Sequence, residues 1–571
     1  MSKNNRAFFC FIVCVSLLCL SCAQKQEPAD LVLMQGKIVT VDEEKPEVEA
    51  LAVRGDTIVA LGSDADIEVY IGDSTKIIDL KGNLAIPGFI DAHAHFTGIG
   101  QAKLGLELMP TQSWDEIIAM VAEAVKDAQP GEWIRGRGWH QEKWDKTPEP
   151  NLEGLPQHHA LSEVSPDNPV LLSHASGHAS FANAKAMELA GITKDTPDPE
   201  GGEIVRDENS YPIGMFRETA QRLLRDAFYE WHETLGAAQI AAERQKVIEL
   251  ADEECLSKGL TSIHDPGSPF ETIDLFEETV QQGKLGVRLY VMIRDTNERI
   301  RKKIEEYRIM GMGNNHLTVR SIKRSIDGAL GPHGAWFLEP YKSLPTSVGL
   351  NTSSVESVKE TAQIAIENDF QLAVHCIGDR ANRETLNIFE EVFTAHPDKK
   401  DLRWRIEHAQ HLHPAEIPRF AQLEVIPSMQ GIHCTSDGPY VIKRLGENRA
   451  EEGAYVWQKL MNTGAVICNG TDAPVEDVNP IPCFYASVTR KMKNGQEFYP
   501  DQKMSREQAL RSYTINCAYA AFQEDILGSL TPGKLADITV LSKDIMTVPD
   551  EEILETEVLY TIVGGKVEYQ K

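Results

Sequence analysis

The sequence predicts an α/β protein in which a (β/α)8 TIM-like barrel carries a small β-sandwich. Three observations predict this fold. Short β-like runs are concentrated at both ends of the chain, the long middle alternates apolar strands with helical stretches, and 571 residues are enough for a barrel and a smaller domain. Apolar residues make up 42% and charged residues 25%, which is ordinary globular usage and argues against a disordered or coiled-coil chain.

The sandwich is predicted from two separate segments, residues 30–85 and residues 526–571. The first contains apolar runs punctuated by turn residues such as Gly36 and Gly55, which is typical of a small β-sheet. The second has the same character, with an apolar run at 558–563 that is followed by two glycines. Because strands at both ends flank a long middle, we expect the two segments to form one sandwich.

The barrel is predicted to span residues 86–525. A representative unit is the apolar run 371–375, which is followed by a helical stretch at 380–393. Repetition of strand and helix in this order favours a parallel sheet, and at this length a barrel. Residues from about 100 to 245 fit the alternation badly, so they are expected to form an insertion over the barrel mouth.

Residues 1–22 are expected to be an export signal rather than part of the fold. Two basic residues precede an uncharged apolar run at 7–20, which is shorter than the roughly 20 residues that a membrane-spanning helix needs. The end of this segment resembles the lipobox of bacterial lipoproteins, although Cys19 stands where leucine is usual. The expectation is an exported protein that is lipid-anchored at Cys22 in the cell envelope, in the periplasm or at the outer membrane. An ordinary secreted protein is the alternative.

The charge argues against a nucleic-acid partner. Lys and Arg total 57 against 86 Asp and Glu, which gives a net charge of −29, whereas nucleic-acid proteins need a basic surface to displace counterions from phosphates. A small-molecule substrate is the expected partner. Of the 10 cysteines, six follow the leader without any CxxC pair, so buried thiols are expected rather than a zinc knuckle or a disulfide scaffold.

Two histidines, His93 and His95, end the apolar run 84–91 and are candidate metal ligands. Positions i and i+2 of a strand face the same side, so both imidazoles can bind one ion. The spacing alone is weak evidence, because the chain has 17 His and repeats the pattern at His411 and His413. Its position is better evidence, since barrel enzymes place their chemistry at the carboxyl ends of strands.

Four further polar residues close predicted strands: Lys323, His375, His408 and Asp472. Each one alone has an ordinary structural explanation, such as a hydrogen-bonded histidine, an ion-paired lysine or a capping aspartate. Together with the two histidines of the first strand they supply, in chain order, His, His, Lys, His, His and Asp from successive strand ends. That combination is hard to reach by accident.

These residues carry a resemblance to the amidohydrolase superfamily, in the branch of metal-dependent hydrolases typified by N-substituted formamide deformylase. The matching stretches span almost the whole chain beyond the leader. They are residues 84–95, 133–139, 177–178 with Asn183, 322–323 with 327–331, 375–381, 405–410, 470–475 and 532–537.

The resemblance implies a set of metal ligands. His93 and His95 would bind a first ion that shares Asp472, and His375 and His408 would bind a second. Lys323 matches a lysine that is N6-carboxylated in such sites and bridges two ions, because a lysine in a dry site loses its proton easily and the amine can take up carbon dioxide. If Lys323 is unmodified, one ion on His93, His95, His375 and Asp472 is the alternative, with His408 polarising the substrate.

The implied activity is hydrolysis of a non-peptide carbon–nitrogen bond. Zn²⁺ is the expected metal, since it suits nitrogen and carboxylate ligands and lowers the pKa of a bound water toward roughly 7. The resulting hydroxide attacks an amide-like carbonyl, and Asp472 takes the proton and hands it to the leaving nitrogen. Two alternatives stay open: a deaminase or cyclic-imide hydrolase that uses the same site, and a catalytically inactive lipoprotein that only binds a ligand.

Substrate specificity is weakly encoded. His178, Asn183 and His433 are candidate substrate-binding residues, because the first two lie in the predicted insertion and the third resembles part of a pocket loop that also contains Asp437. Three tryptophans are candidates for an apolar cavity lining. They are Trp139, Trp144 and Trp336. For all of these residues, core packing or a loop hydrogen bond is an equally good interpretation.

Overall fold

The computed structural model describes residues 26–152 and 154–571. The predicted export signal and Cys22 lie outside the described residues, so they stay predictions. In the described part of the chain, no helix combines the length and the apolar character that crossing a bilayer requires. The six cysteines found there, Cys255, Cys376, Cys434, Cys468, Cys483 and Cys517, are all buried free thiols, as expected.

A parallel barrel forms the centre of the molecule, which confirms the predicted fold class. Its eight strands pair side by side in chain order. They are β1 (Phe89–Asp91), β2 (Leu260–Ser268), β3 (Arg288–Ile293), β4 (Leu317–Ser325), β5 (Gln371–Cys376), β6 (Arg405–His408), β7 (Ile426–Gln430) and β8 (Cys468–Gly470). Two hydrogen bonds just beyond the ends of β1 and β8 close the barrel: Ala92 N donates to Asn469 O (3.0 Å) and Asp472 N donates to His93 O (2.7 Å).

Helices cover the outside of the barrel. All residues of strand β3 are buried, and its side chains alternate between the barrel interior and the side covered by helices. Leu289, Val291 and Ile293 join the core that the helices share. The helices that follow the strands are Phe96–Leu104, Phe270–Gln281, Asn297–Lys303, Val355–Glu367, Asp379–Ala395, Ile417–Gln422, His433–Leu445, Pro480–Thr489, Arg506–Ser512 and Ile515–Ala520.

The amino-terminal end of the described chain forms a four-stranded sheet, and both ends together form a six-stranded sheet. The four-stranded sheet has the order Thr57–Gly62, Ala50–Arg54, Leu31–Met34, Lys76–Asp79. The six-stranded sheet has the order Lys566–Gln570, Val558–Val563, Ile538–Leu541, Leu84–Pro87, Lys37–Val39, Glu47–Val48. One apolar core includes residues of both sheets, among them Leu33, Leu51, Ile538 and Ile562. The strand Leu84–Pro87 leads directly into β1, so this sheet supports the first barrel strand.

A third sheet lies between β1 and β2 in the sequence and forms part of the cavity wall above the barrel. Its order is Gly202–Arg206, Pro212–Glu218, Ala179–Ala182, Val170–His174, Ile134–Trp139, Leu106–Glu107. The helices Trp114–Asp127, Ala184–Leu189, Gln221–Glu233 and Ala237–Ser257 accompany it. Trp139 and Trp144 stack inside this region with ring centroids 5.9 Å apart, and Trp336 is buried in the main core. The three tryptophans are therefore core residues and do not line the cavity described below.

Candidate metal centre

The two histidines that follow β1 are held in place by a buried carboxylate. Asp91, the last residue of β1, accepts hydrogen bonds from His93 N (2.9 Å), Thr471 N (3.0 Å) and Thr471 Oγ1 (2.6 Å). Burial raises the pKa of Asp91 to about 7. A Cβ on Gly470 would lie 2.4 Å from Asp91 Oδ1, so the end of β8 needs glycine to approach this closely. These contacts fix the start of the chain segment that carries the histidines.

His93, His95 and Asp472 converge on one point. Asp472 Oδ1 lies 3.5 Å from His93 Nε2 and 3.4 Å from His95 Nε2. The three candidate donor atoms all lie within 4.8 Å of one another. Burial opposes ionisation of Asp472, but the hydrogen bond from His95 and the nearby His93 hold the pKa of its carboxyl well below the usual range. The site therefore presents one anionic oxygen and two imidazole nitrogens to a common centre.

Glu407 orients His93, and the sequence analysis assigned no role to this glutamate. Its Oε2 contacts His93 Nδ1, which directs Nε2 towards Asp472. Arg405 Nε lies 2.7 Å from Glu407 Oε1, and both side chains are fully buried. Burial disfavours the carboxylate, but Arg405 and His93 hold the pKa of Glu407 below its ordinary value. The signal available in the sequence was the pair of opposite charges, Arg405 and Glu407, at alternate positions of the predicted strand that ends at His408.

His375 and His408 lie beside the first group. Their ring centroids are 4.5 Å apart, and the His408 ring lies 4.7 Å from that of His93. Gln430 Oε1 accepts from His408 Nδ1 at 2.7 Å, while His375 Nε2 lies 3.6 Å from Asp327 Oδ1. Burial lowers the pKa of both histidines well below the usual value, which favours the neutral, metal-binding form.

Two of the converging residues have strained backbones. His408 has a φ of 73° and Asp472 a φ of 59°, in the left-handed region that residues other than glycine rarely adopt. Such conformations cost of order 1–3 kcal/mol each and cluster at functional sites. The strain turns both side chains towards the same end of the barrel, which supports a functional reason for their placement.

Lys323 lies at the end of β4 and is 2% exposed. Burial lowers the pKa of its amine to about 8, and Arg294 and Arg405 contribute to the decrease while Glu407 and Asp472 oppose it. Among the described residues, its amino group makes neither a hydrogen bond nor an ion pair. The lowered pKa makes the neutral amine, which carboxylation requires, more accessible near neutral pH than in an ordinary lysine.

The predicted substrate residues have different environments. His178 lines the cavity, and its Nδ1 lies 2.7 Å from Glu218 Oε2. Burial lowers the pKa of His178, but Glu218 more than compensates, so the net shift is upwards. His433 joins His408 and Asp472 in a second group whose donor atoms lie within 4.8 Å of one another. Asp437, in the same loop, accepts from Gln410 Nε2 (3.1 Å) and Tyr455 Oη (2.6 Å).

Asn183 lies outside the cavity walls, in contrast to the sequence-based expectation. It caps the helix Ala184–Leu189: its Oδ1 accepts from Ala186 N at 2.9 Å and also from Val170 N at 3.0 Å. Its Nδ2 donates to Ser165 and to Asn168 O at 2.8 to 3.0 Å. Because every hydrogen-bonding position of this fully buried amide is used by the fold, Asn183 has no group left for a ligand.

A cavity of about 1100 Å³ opens over the strand ends. It reaches the convergent histidines, Asp472 and Lys323, and its walls also include Arg137, Glu218 and Asp327. No local sequence pattern marks these three residues, because segments far apart in the chain bring them together. A smaller cavity of about 50 Å³ lies on the His433 side and shares His178, His375, His408 and Asp472 with the larger one.

The donor set fits a divalent transition-metal ion. His93 Nε2 and His375 Nε2 are buried, and within the described part of the chain neither has a hydrogen-bond partner. Buried polar atoms of this kind are costly unless something satisfies them. Imidazole nitrogens together with a carboxylate are the ligands that Zn²⁺ and its neighbours prefer.

A parallel barrel that gathers histidine, lysine and aspartate side chains at its strand ends defines a metal-dependent hydrolase. The chain belongs to the Amidohydrolase family, whose sequence profile matches residues 76–569. The predicted resemblance is therefore confirmed.

Two relatives match this chain over nearly their whole length. The chain is 33% identical to Protein LONG AFTER FAR-RED 3 of Arabidopsis thaliana, over 95% of this chain and 92% of that protein. It is 28% identical to N-substituted formamide deformylase of Arthrobacter pascens, over 95% of this chain and 98% of that protein. A crystal structure of an uncharacterized metal-dependent hydrolase from Pyrococcus horikoshii OT3 is also similar. Its TM-score is 0.71 at 25% identity, over 91% of this chain and 99% of that one.

Proposed function

We propose that this protein is an exported hydrolase that uses Zn²⁺ to cleave a non-peptide carbon–nitrogen bond in a small amide. The observation that carries the proposal is the convergence of His93, His95 and Asp472, whose donor atoms lie within 4.8 Å of one another at the floor of a large cavity. The similarity to an enzyme named N-substituted formamide deformylase supports an N-acyl or N-formyl amine as the substrate.

The proposed ligands are those that the family resemblance implies, and the convergence of His93, His95 and Asp472 supports the first group. His93, His95 and Asp472 would hold one ion, and His375 and His408 would hold a second, with Lys323 bridging as a carbamate. With Lys323 unmodified, a single ion would use His93, His95, His375 and Asp472. When bound, the metal supplies Lewis acidity and a nucleophilic water at neutral pH.

The side chains of the protein supply binding and proton transfer. Asp472 is ionised, so its carboxylate can accept the proton of the attacking water and deliver it to the leaving nitrogen. Glu407 keeps the His93 ring in one orientation through Nδ1, and Gln430 does the same for His408. His178, which Glu218 holds at 2.7 Å, is placed to donate a proton or a hydrogen bond to the substrate from the cavity wall.

Metal analysis and a substrate panel test the proposal. We expect the purified protein to carry zinc and to hydrolyse N-formyl or N-acyl amines to an amine and an acid. The variant His93→Ala should remain folded but lose most of its metal and nearly all turnover. His413→Ala is the matched control, because this exposed histidine belongs to the second HxH pair and lies outside the cavity. Full metal occupancy and full activity in His93→Ala would refute the site.

Product analysis separates the rival activities. A deaminase would release ammonia, a cyclic-imide hydrolase would give a ring-opened amide acid, and an amide hydrolase releases an amine with an acid. If no metal co-purifies and added zinc restores no activity, the ligand-binding lipoprotein becomes the better interpretation.

The proposal of export and lipid anchoring rests on residues 1–22 alone. Replacement of Cys22 by serine should move the protein from the membrane fraction to the soluble fraction, because the acylated thiol is the proposed anchor. Unchanged membrane fractionation of Cys22→Ser would contradict lipidation at this position.

A further inference from the structure

We propose that the active-site cavity binds an anionic oxygen group of the substrate, a carboxylate or a phosphate, through Arg222, Arg225 and Arg294. The inference deepens the proposed function and rests on it for the idea that this ligand is a substrate. The cavity is more basic than the protein around it. Seven Lys and Arg side chains line it against five Asp and Glu, in a chain with a net charge of −29.

Three arginines form a cluster on one wall of this cavity. Arg222 and Arg225 are three residues apart on the helix Gln221–Glu233, so their side chains share one face of that helix. Arg294 directly follows β3 and lines the same cavity. Like charges at such spacing repel one another, so the cluster costs free energy unless an anion lies between the guanidinium groups.

No carboxylate of the described residues pairs with any of these three guanidinium groups. The acidic side chains of the cavity wall have other partners: Glu218 contacts His178, Asp295 contacts Arg299, Glu360 contacts Arg301, Asp472 contacts His95, and Asp327 accepts from backbone amides. By contrast, Arg135, another arginine of the cavity wall, pairs with Glu243 at 3.1 Å.

The surroundings of Arg222, Arg225 and Arg294 are consistent with a site for a bound anion. All three side chains are exposed to solvent, yet the protein surrounds them on several sides. Desolvation and the charge of Arg222 lower the pKa of Arg225, although Tyr229 and Asp226 partly oppose the decrease. Desolvation and Arg225 lower the pKa of Arg294, although Asp265 partly opposes the decrease. A bound carboxylate or phosphate would reverse both effects, because charge-assisted hydrogen bonds to guanidinium groups are strong.

Arg294 connects the cluster to the metal centre. Its stem lies so close to Gly267 that a Cβ on this glycine would be 2.7 Å from Arg294 Cδ. Its guanidinium group donates to Ser325 Oγ at 3.3 Å, and Ser325 ends the strand that carries Lys323. The anionic group and the scissile amide would therefore occupy one cavity, with the anion on the side of Arg294.

Binding measurements test the anion site directly. The full-length protein is titrated with glutarate and, separately, with inorganic phosphate in a calorimeter. We expect at least one anion to bind, and the double variant Arg222→Gln/Arg225→Gln to bind it at least about 10-fold more weakly, as the loss of charged hydrogen bonds predicts. Arg244→Gln is the control, because this exposed arginine of the helix Ala237–Ser257 lies outside the cavity.

The preferred anion identifies the group: tighter binding of glutarate indicates a carboxylate, and tighter binding of phosphate indicates a phosphate ester. Absence of binding by the folded wild-type protein, or equal binding by the double variant, would overturn the inference.

A pair of amides separates this inference from the proposed function. N-benzylformamide is neutral, and 4-(formamidomethyl)benzoate adds a carboxylate to the same molecule. In the double variant, we expect kcat/KM for the acid to fall about 10-fold relative to kcat/KM for the neutral amide. The reason is that KM for the acid should rise when the arginines are removed. Hydrolysis of the neutral amide without any effect of the arginines would overturn the anion site and leave the proposed function intact. Arginine-dependent anion binding without hydrolysis of either amide would support the anion site and contradict N-formyl benzylamines as substrates.

Discussion

At the scale of single residues, the orientations of His93 and His408 depend on partners in other barrel strands. His93 follows β1, and its Nδ1 contacts Glu407 of β6. His408 ends β6, and its Nδ1 hydrogen-bonds to Gln430 of β7. Partners of this kind select the tautomer and fix the ring, so they contribute to metal affinity without touching the metal.

The contact between Glu407 and His93 can be tested by removing the charge of the glutamate. We expect Glu407→Gln to weaken metal affinity by about 10- to 100-fold, because the neutral amide holds the His93 ring less firmly and makes it a poorer donor. Affinity is measured by competition with a chelator, and circular dichroism checks the fold. Glu416→Gln is the control, since Glu416 is also buried and paired with arginines but lies outside the cavity. Unchanged affinity in Glu407→Gln would contradict the orienting role.

The residues that converge at the site were the predictable part. His93, His95, Lys323, His375, His408 and Asp472 each lie at or near the end of a predicted strand, and that signal is local in the sequence. Their partners were less accessible, because Glu407 and Gln430 acquire meaning only from the pairing of distant strands. The same holds for the arginine cluster, whose members come from two segments that no local pattern connects.

At the scale of elements, the helix Phe96–Leu104 positions the metal site because it begins directly after His95. It packs closely against the long helix Ala237–Ser257. A Cβ on Gly100 would lie 1.9 Å from Val247 O, so the two backbones approach each other as only glycine allows. The separation of these helices therefore sets where His95 lies.

We accordingly expect Gly100→Ala to destabilise the protein by about 1–3 kcal/mol, as overpacking does, and to weaken metal binding by displacing His95. Thermal unfolding and chelator competition measure the two effects. Lys103→Ala serves as the control, because its ion pair with Glu254 (3.2 Å) is partly exposed and is worth about 0–1 kcal/mol. Wild-type stability and metal affinity in Gly100→Ala would contradict this role of the helix contact.

The helix Ala237–Ser257 also carries a carboxylate with a raised pKa. Asp252 accepts from Gly286 N and Val287 N at 2.9 to 3.1 Å, and burial raises its pKa to about 6 from an ordinary 3.8. A raised carboxyl pKa adds stability that is complete below about pH 4 and is lost as the pH rises through about 6. We expect the free energy of unfolding, relative to Asp252→Asn, to fall over that interval in urea titrations. Glu249→Gln, on the same helix, should follow the wild type, and a difference that is independent of pH would contradict the prediction.

The elements differed in how well the sequence predicted them. Some barrel strands, such as β3 and β5, are mainly apolar because both of their faces are buried, so their existence was predictable. The region above the barrel was recognised only by its poor fit to the alternation. Its sheet mixes parallel and antiparallel pairs, and the burial of Asn183 as a helix cap could not be read from residues 177–183.

At the scale of the whole molecule, one buried ion pair connects the barrel to the sandwich of terminal strands. Arg288 of β3 binds Asp537 through Nε (2.8 Å) and through a second guanidinium nitrogen (2.9 Å), and Gly564 N also donates to Asp537. Both side chains are at most 5% exposed. The pair joins the carboxyl-terminal segment to the start of a barrel strand.

We expect Asp537→Ala to destabilise the protein by about 3–5 kcal/mol, because it leaves a buried, unpaired guanidinium group. Calorimetry should show one transition at a lower temperature, as the two parts unfold together. The double variant Arg288→Met/Asp537→Ala should recover part of the loss by removing the unpaired charge. An unchanged transition in the single variant would refute the coupling.

The pairing of Ile538–Leu541 with Leu84–Pro87 has a consequence for folding. Leu84–Pro87 runs into the segment that carries His93 and His95, yet its partner strand lies hundreds of residues further along the chain. A pairing between such distant segments requires the intervening barrel to bring them together first, because the entropy of closing so long a loop must be overcome. We therefore expect the geometry of the candidate site to become complete late in folding.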